Sequence, residues 1–362
     1  MKHRSVRIAM QVVVLLLVVV GVIHSSRKAA DDLHRRREEL NQQATELERS
    51  ATAAEDSAER AKLESEAARL RSHANDFFKA SPVWLTAAAL FYGVGMLVAG
   101  LYWYVCLRGL HQPAPLILTL WAYMLGQLGK YVPGKAMVLV LRVGTLAPTG
   151  VLKMATTLTI FMETLTMMAV GGAAAAIALI CLQLDNRLTI LAVGMLAGTL
   201  IPIFPPILRI VLKRLQRGVA PEKLNAMLIE LNWRQFAIGI GMLSITWLCY
   251  GASLACVLYG CPTAEFSDAG SGTILLSALG ACSLAVVVGF VSFLPGGAGV
   301  REVVLSTMLS PVVGPTAALA AAIWLRIVWL ATELVMTGIV RLIRPAPHQF
   351  QTPESASPEI TN

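Results

Sequence analysis

Charged residues are scarce in this chain. Asp, Glu, Lys and Arg make up only 14% of its 362 residues, whereas soluble domains carry about 25%. Much of that charge lies in one stretch, residues 27–79, and long apolar runs dominate outside it. The composition therefore argues against a soluble enzyme and indicates an integral membrane protein.

Signatures of catalysis, metal binding and nucleic-acid binding are also absent. The sequence has no GxSxG, HExxH or GxxxxGK[ST] motif, no CxxC pair and no histidine inside a long apolar run. Hydrolase, zinc and P-loop chemistry are therefore not expected. We interpret the six cysteines as small buried residues, with a disulfide at Cys261 left open. We predict no enzyme activity, no metal, no cofactor and no nucleic-acid partner, although the net charge is +8.

Several apolar runs are long enough to cross a hydrocarbon layer of about 30 Å as helices. Their Gly and Ala content suits helices that pack closely in lipid, and they lack the alternation of barrel strands. The runs cover residues 84–107, 155–182, 188–212, 236–259, 273–294 and 316–340. We predict an all-α, polytopic transmembrane bundle with about six simple spans plus two broken or re-entrant segments.

The ends of the chain differ from this body. A further apolar run, 8–23, follows three basic residues and lacks a good cleavage site, so we favour an uncleaved signal anchor within residues 1–26 over a signal peptide. Residues 344–362 are rich in Pro, Ser and Thr, which predicts a disordered cytoplasmic tail. The polytopic domain is then residues 81–343.

Residues 27–80 form a charged segment without Gly or Pro. Leucine occupies positions 33, 40 and 47, alanine follows at 54, 61 and 68, and a second alanine row lies at 44, 51 and 58. This heptad pattern predicts an extracytoplasmic, coiled-coil-like helical insertion, about 80 Å long if continuous at ~1.5 Å per residue. It pairs with a second copy, folds back as a hairpin, or stays a single solvated helix. Residues 41–43 are the candidate turn.

Basic residues in short loops predict the orientation in the membrane. Lys2, Arg4 and Arg7 place the N-terminus in the cytoplasm, and the basic loop 213–223 and the C-terminus lie on the same side. The loop 261–272 has no basic residue and is then outside. We predict a multi-pass protein of the bacterial inner, or cytoplasmic, membrane.

Two segments are interrupted by Pro-Gly breaks. One is 115–146, broken at 129–135, and the other is 274–311, broken at 293–299. The positions of the basic loops are explained if the first segment is re-entrant from the cytoplasm and the second from outside. A different number of crossings, which puts the second break near the cytoplasmic surface, remains an alternative. In transporters, opposed broken helices mark the substrate site near the midplane.

Candidate site residues lie at these breaks and inside the spans. The first cluster can bind an anion at a helix start, or serve only as a basic loop that fixes topology. In the second, Glu302 suits a first helical turn but Arg301 does not, so Arg301 is expected to have a partner or ligand. The intramembrane charges are functional or paired, with Glu163–Arg326 as a candidate pair. The first cluster is Lys130, Tyr131, Pro133, Gly134, Lys135 and Arg142, the second is Pro295, Gly296, Gly297, Gly299, Arg301 and Glu302, and the intramembrane charges are Glu163, Arg326 and Glu333.

The two clusters resemble motifs of the lysylphosphatidylglycerol synthase transmembrane region, a flippase-like family. They are GKYVPGK at 129–135, followed by Arg142, and FLPGGAGVRE at 293–302. The resemblance covers roughly 84–343, with 8–23 a candidate first helix. It implies a helical fold that binds or moves a lipid, with the motif residues at the head group. No aminoacyl-transferase domain follows residue 343, so lysine transfer is not expected, and the 27–79 insertion is not associated with the family.

Two functions are therefore weighed. The first is binding and flipping of an anionic phospholipid or related lipid, driven by a gradient or a partner. The alternative is a non-transporting scaffold or accessory subunit for a lipid-linked glycosyl- or acyltransferase. In that alternative the outside helix recruits partners. Self-association through residues 27–79 remains open in both.

Overall fold

The computed structural model describes residues 31–183 and 233–343, together with isolated positions between 187 and 197. Within these ranges, short gaps lie at 32–33, 36, 55, 77–78, 132–135, 265, 267–269, 293–296 and 298. The predicted anchor 8–23, most of the run 188–212, the loop 213–223 and the tail 344–362 lie outside the described residues. All regular structure in the described part is helical. The helices are α1 (containing residues 37–53), α2 (Ser57–Asp76), α3 (Pro82–Gly109), α4 (Leu116–Gly129), α5 (Ala136–Leu146), α6 (Lys153–Cys181), α7 (Trp233–Gly260), α8 (Ser271–Val291), α9 (Val300–Val313) and α10 (Pro315–Ile343).

Five of the described helices are long and apolar enough to cross a membrane, namely α3, α6, α7, α8 and α10. Helices α4, α5 and α9 are shorter, because the chain breaks at the two Pro-Gly sequences. The predicted all-α polytopic bundle is confirmed. One detail differs, since α8 has 21 residues and is as long as a whole span, although it is one arm of a broken segment.

The charged segment folds as two helices rather than one rod. The carboxylate of Asp56 accepts the backbone N–H of Ala58 at 3.0 Å and so caps the start of α2. Arg71 forms an ion pair with Glu48 at 2.6 Å, which requires α2 to fold back along α1. We call α1 and α2 together the charged hairpin. Its reversal lies between residue 53, the last helical residue of α1, and Ser57, the first of α2. The predicted turn at 41–43 is wrong because those residues are helical.

The heptad stripe is kept in α1 and shifts in α2. Leu40, Ala44 and Ala51 are buried as the pattern predicts. In α2 the buried alanines are Ala67 and Ala74, while the predicted positions 61 and 68 are exposed. The reversal resets the helical phase, so one heptad count cannot describe both helices. The chain covers this seam by itself, and self-association through 27–79 stays a prediction.

Helix α3 defines two faces of the bundle. At its start, the Ser81 N–H donates to the carbonyl of Gly260, at the end of α7, at 2.9 Å; we call this end the first face. Beyond its last turn, Oε1 of Gln112 accepts the N–H of Leu152, at the start of α6, at 3.0 Å; we call this end the second face. The segment that follows Gly260 therefore begins at the first face, and the segment that follows Gln112 begins at the second face.

Each broken segment is a helical hairpin whose arms pack side by side. In the first hairpin, α4 and α5, a Cβ on Gly126 would lie 2.7 Å from Nε of Arg142. In the second hairpin, α8 and α9, a Cβ on Gly289 would lie 2.9 Å from Cγ of Arg301. Glycine is needed for this close approach of the arms. The first hairpin follows Gln112 and the second follows Gly260, so the two enter the bundle from opposite faces.

Candidate functional site

The tips of the two hairpins meet at the middle of α10. Lys130, at the tip of the first hairpin, forms an ion pair with Glu333. Arg326 donates to Glu302, in the first turn of α9 at the tip of the second hairpin, at 2.5 Å. Arg326 and Glu333 lie two turns apart on one side of α10. A single membrane-spanning helix therefore holds both tips.

Glu333 is fully buried and accepts two hydrogen bonds on one oxygen. Its Oε1 accepts from the Tyr92 hydroxyl on α3 and from the Lys130 ammonium, and the residue is 0% exposed. Its Oε2 has no hydrogen-bond partner among the described residues. The Tyr92 ring stacks on Trp329, with centroids 4.3 Å apart. Buried carboxylate oxygens are rarely left unpartnered, so this atom calls for a functional explanation.

Glu302 has a structural role as well as an ion pair. Its Oε2 accepts the backbone N–H of Gly299 at 2.7 Å, which satisfies a free donor at the start of α9. Gly299 has φ +86° and Gly297 has φ +68°, values that a residue with a side chain adopts only under strain. The dense glycines of the second motif thus form the turn, and Glu302 suits the first helical turn as predicted.

Arg301 is wedged between glycines and lacks a carboxylate partner in the described part of the chain. A Cβ on Gly297 would lie 3.0 Å from its Nε, and this Nε is buried without a hydrogen-bond partner there. The other three interior cations described, Lys130, Arg142 and Arg326, are each paired. The expectation that Arg301 binds a partner or ligand therefore stays a prediction, now with a buried donor that supports it.

A partly open cleft lies beside the tips, between α8, α9 and α10. Its polar wall consists of Arg301, Glu302 and Arg326, and Tyr131 closes one end. The Lys130 ammonium lies 5.2 Å from the centre of the ring of Tyr131, which lines the cleft. The remaining wall is mostly apolar and includes Ala285, Val286, Leu305, Ala322 and Leu325. A ligand that fits this cleft has a charged end and an apolar end.

Arg142 lies away from the cleft, in a separate buried pair. It donates to Glu163 on α6 at 2.8 Å, and the two side chains are 3% and 6% exposed. Its guanidinium carbon lies 4.3 Å from the ring centre of Tyr123 and 4.8 Å from that of Trp103. The predicted Glu163–Arg326 pair is therefore wrong. The first hairpin folds Arg142 directly onto α6, and Glu302 is closer to Arg326.

The structure brings eight of the predicted site residues together and leaves others undescribed. Those brought together are Lys130, Tyr131, Gly297, Gly299, Arg301, Glu302, Arg326 and Glu333. Those outside the described residues are Pro133, Gly134, Lys135, Pro295 and Gly296. Sequence reasoning missed Tyr92 and Trp329. Their position in the middle of spans was the available signal, since such rings usually lie at the membrane surface or need a buried hydrogen-bond partner.

The described residues contain neither a cluster arranged to hold a metal ion nor a disulfide. No group of three or more His, Cys, Asp or Glu side chains among them is arranged to hold a metal ion. All six cysteines lie in the described part and are free thiols. The disulfide left open for Cys261 therefore does not form in this structure.

Comparison with known families identifies the fold's relatives. Residues 62–335 match the family described as the lysylphosphatidylglycerol synthase TM region. The match begins inside α2 and does not include the candidate first helix at 8–23. No individually curated protein matches the chain. Because the family match covers well over half of its length, the chain belongs to this family.

Proposed function

We propose that this member of the lysylphosphatidylglycerol synthase transmembrane family binds an anionic phospholipid, or a related lipid, and moves it across the membrane. The chain is a multi-pass membrane protein of a family related to lipid handling. One observation carries the proposal. Two hairpin tips from opposite faces meet at α10 beside a cleft with a cationic end and an apolar wall.

The charge of the described interior supports an anionic ligand. Four cations, including Arg301, oppose the three carboxylates Glu163, Glu302 and Glu333. An unpaired buried charge is costly, so a ligand that supplies one negative charge stabilises the closed bundle. The planar guanidinium of Arg301 matches two phosphate oxygens at once. A phospholipid head group supplies both features.

The surface around the cleft supports a ligand with acyl chains. Val303 on α9 is 64% exposed and Val291 at the end of α8 is 53% exposed, so the second hairpin presents apolar side chains close to its tip. In a bilayer these side chains contact lipid tails. The head group can therefore occupy the cleft while the tails stay in the hydrocarbon layer.

The way in which the tips are held supports translocation rather than binding alone. Lys130 ties the first tip to α10, and Glu302 ties the second. Release of one ion pair frees the tip of one hairpin while the tip of the other stays in place. The cleft then opens to one face at a time, which is the geometry of alternating access.

We extend the proposal to location and chemistry. The chain resides in the cytoplasmic membrane with its N-terminus in the cytoplasm, and the charged hairpin is outside. It carries out no covalent chemistry, and a gradient or a partner supplies the energy. The scaffold alternative differs in one measurable respect, because a scaffold is indifferent to lipid head groups at the cleft.

Lipid translocation in proteoliposomes tests the proposal. The full chain is reconstituted in phosphatidylcholine with a trace of fluorescent phosphatidylglycerol, and the inner-leaflet fraction is followed by dithionite quenching. Arg301→Gln removes a charge-assisted contact worth about 1.5–3 kcal/mol, so we expect roughly a tenfold or greater loss of rate. The matched control is Arg341→Gln, which removes an exposed charge in the last turn of α10 and retains the wild-type rate.

Three results contradict flipping by this site. The wild type moves no lipid of any head group, it moves neutral and anionic lipids equally, or the two arginine variants lose the same rate. The first result favours the scaffold, and capture of a partner by the charged hairpin then becomes the measurement of interest.

A further inference from the structure

We propose that binding of a lipid phosphate at the cleft is coupled to the uptake of one proton by Glu333. This inference rests on the proposed function and names the ion that drives it. Its basis is the carboxylate of Glu333 in the middle of α10, which accepts from Lys130, a neighbour of the cleft-lining Tyr131, and has one oxygen without a hydrogen bond.

Every helix packed against Glu333 places a polar or charged group near it. Tyr92 on α3, Lys130 and Tyr131 at the end of α4 and Tyr250 on α7 interact with Glu333 itself. Arg301 on α9 and Arg326 on α10 interact with Lys130 and Tyr131. Tyr92 donates a neutral hydroxyl hydrogen bond to Glu333, and Arg326 is paired with Glu302. Lys130 is therefore the cation whose contact balances the charge of Glu333.

Lys130 can serve either Glu333 or a ligand. Its side chain is 22% exposed, and its ammonium lies against Tyr131, which forms the end of the cleft. A phosphate held by Arg301 attracts the same ammonium, because both cations lie within electrostatic range of one another. Phosphate and carboxylate thus compete for Lys130.

Loss of Lys130 leaves Glu333 as an unpaired charge at 0% exposure. Breaking a buried pair in this way is strongly unfavourable, and protonation of the carboxylate removes the penalty. A hydronium ion of the bulk solution transfers its proton to Oε2, the oxygen that lacks a partner, forming an O–H bond there and leaving a water molecule. The Lys130 ammonium keeps its three protons and the phosphate keeps its charge. One negative and one positive charge enter together, so the net charge of the site is unchanged.

Proton uptake makes lipid binding depend on pH in a defined direction. The lipid-bound state holds one more proton than the free state, so affinity falls as pH rises. With one proton taken up per lipid, the slope approaches about tenfold per pH unit. A proton gradient across the membrane then supplies energy to the transport cycle, for which the sequence has no nucleotide-binding motif.

Calorimetry of the full chain in detergent tests the coupling. Dioctanoyl phosphatidylglycerol is titrated at one pH in two phosphate-free buffers of different ionisation enthalpy, and the difference in heat gives the protons taken up per lipid. We expect about one proton for the wild type in the titrating range and none for Glu333→Gln. Glu64→Gln is the control, since it neutralises a paired carboxylate that is exposed in the charged hairpin, and we expect wild-type proton uptake.

A second variant, Lys130→Gln, tests the coupling if Glu333→Gln folds poorly. In Lys130→Gln the carboxylate has no counterion even without lipid, so it is already protonated and lipid binds through Arg301 without proton uptake. The wild-type measurement alone also decides, because binding without proton uptake across the pH series overturns the coupling. Equal uptake by wild type and Glu333→Gln overturns it too. If the wild type binds no lipid at all, the proposed function itself fails and the coupling falls with it.

Discussion

Arg142 and Glu163 form a buried ion pair of 2.8 Å between the returning arm of the first hairpin and α6. Tyr123 and Trp103 flank the guanidinium, and cation–π contact adds to the electrostatic attraction. The pair fastens the hairpin to a membrane-spanning helix at a point behind its tip. The position of Lys130 therefore depends on a contact that lies outside the cleft.

Removing one member of this pair should destabilise the bundle. Glu163→Ala leaves Arg142 buried without a counterion, and we expect the free energy of unfolding to fall by about 3–5 kcal/mol. The double variant Arg142→Met, Glu163→Leu removes both charges and should lose less than Glu163→Ala alone. Thermal unfolding in detergent measures both. A double variant that loses as much stability as Glu163→Ala, or more, would contradict this account of the pair.

A methyl group at Gly289 should disturb Arg301 specifically. Its Cβ would lie 2.9 Å from Cγ of Arg301, which is the stem of that side chain, so the guanidinium must move. For Gly289→Ala we expect slower phosphatidylglycerol translocation, together with a loss of stability of about 1–3 kcal/mol from overpacking. Translocation in proteoliposomes and thermal unfolding are measured on the same preparation.

Gly338→Ala is the matched control for Gly289→Ala. Gly338 lies in α10 with nothing within 4 Å of an added Cβ, so Gly338→Ala should raise stability by up to about 1 kcal/mol through helix propensity. Its translocation rate should equal that of the wild type. A normal rate in Gly289→Ala would mean that the position of Arg301 does not matter to transport.

Two cysteines near the first face should differ in reactivity. Helix α6 starts at the second face and ends at Cys181, which is exposed, whereas Cys261 follows α7 at the first face and is buried. Burial raises the pKa of the Cys261 thiol to about 12, so little thiolate forms at pH 8. We expect maleimide to label Cys181 and to spare Cys261, as read by mass spectrometry.

The same labelling reports the orientation of the chain. With the N-terminus in the cytoplasm, the first face is outside, and a membrane-impermeant maleimide should reach Cys181 in intact cells. Cys181→Ser identifies the site of labelling. If Cys181 reacts only after the cells are permeabilised, the first face is cytoplasmic and the orientation is the reverse of the proposed one.

The breaks in the spans could be predicted because their cause is local. Gly297 and Gly299 adopt positive φ, and neither glycine nor proline favours a helix interior. Glu302 at the start of α9 was likewise predictable from its preference for a first turn. The all-helical membrane fold followed from the length of the apolar runs, which depends on no tertiary contact.

The pairing of buried charges could not be predicted in the same way. Whether Glu163 meets Arg142 or Arg326 depends on how deeply each hairpin enters the bundle, and no local pattern gives that depth. Tyr92 was missed for a related reason, since its hydroxyl has a role only when α3 packs beside Glu333. In the charged hairpin, the heptad count failed after residue 54 because the reversal reset the phase.

The meeting of the two hairpin tips at α10 changes the barrier between the two membrane faces for a lipid head group. Elsewhere in the bundle the barrier is the full hydrocarbon thickness of about 30 Å. Beside Arg326 and Glu333 it is only the contact of two hairpin tips with one helix. In the proposed transport cycle a head group at that point passes two ion pairs in turn, Lys130–Glu333 and Arg326–Glu302. We therefore expect the rate of crossing to depend on the opening of these ion pairs rather than on the solubility of phosphate in hydrocarbon.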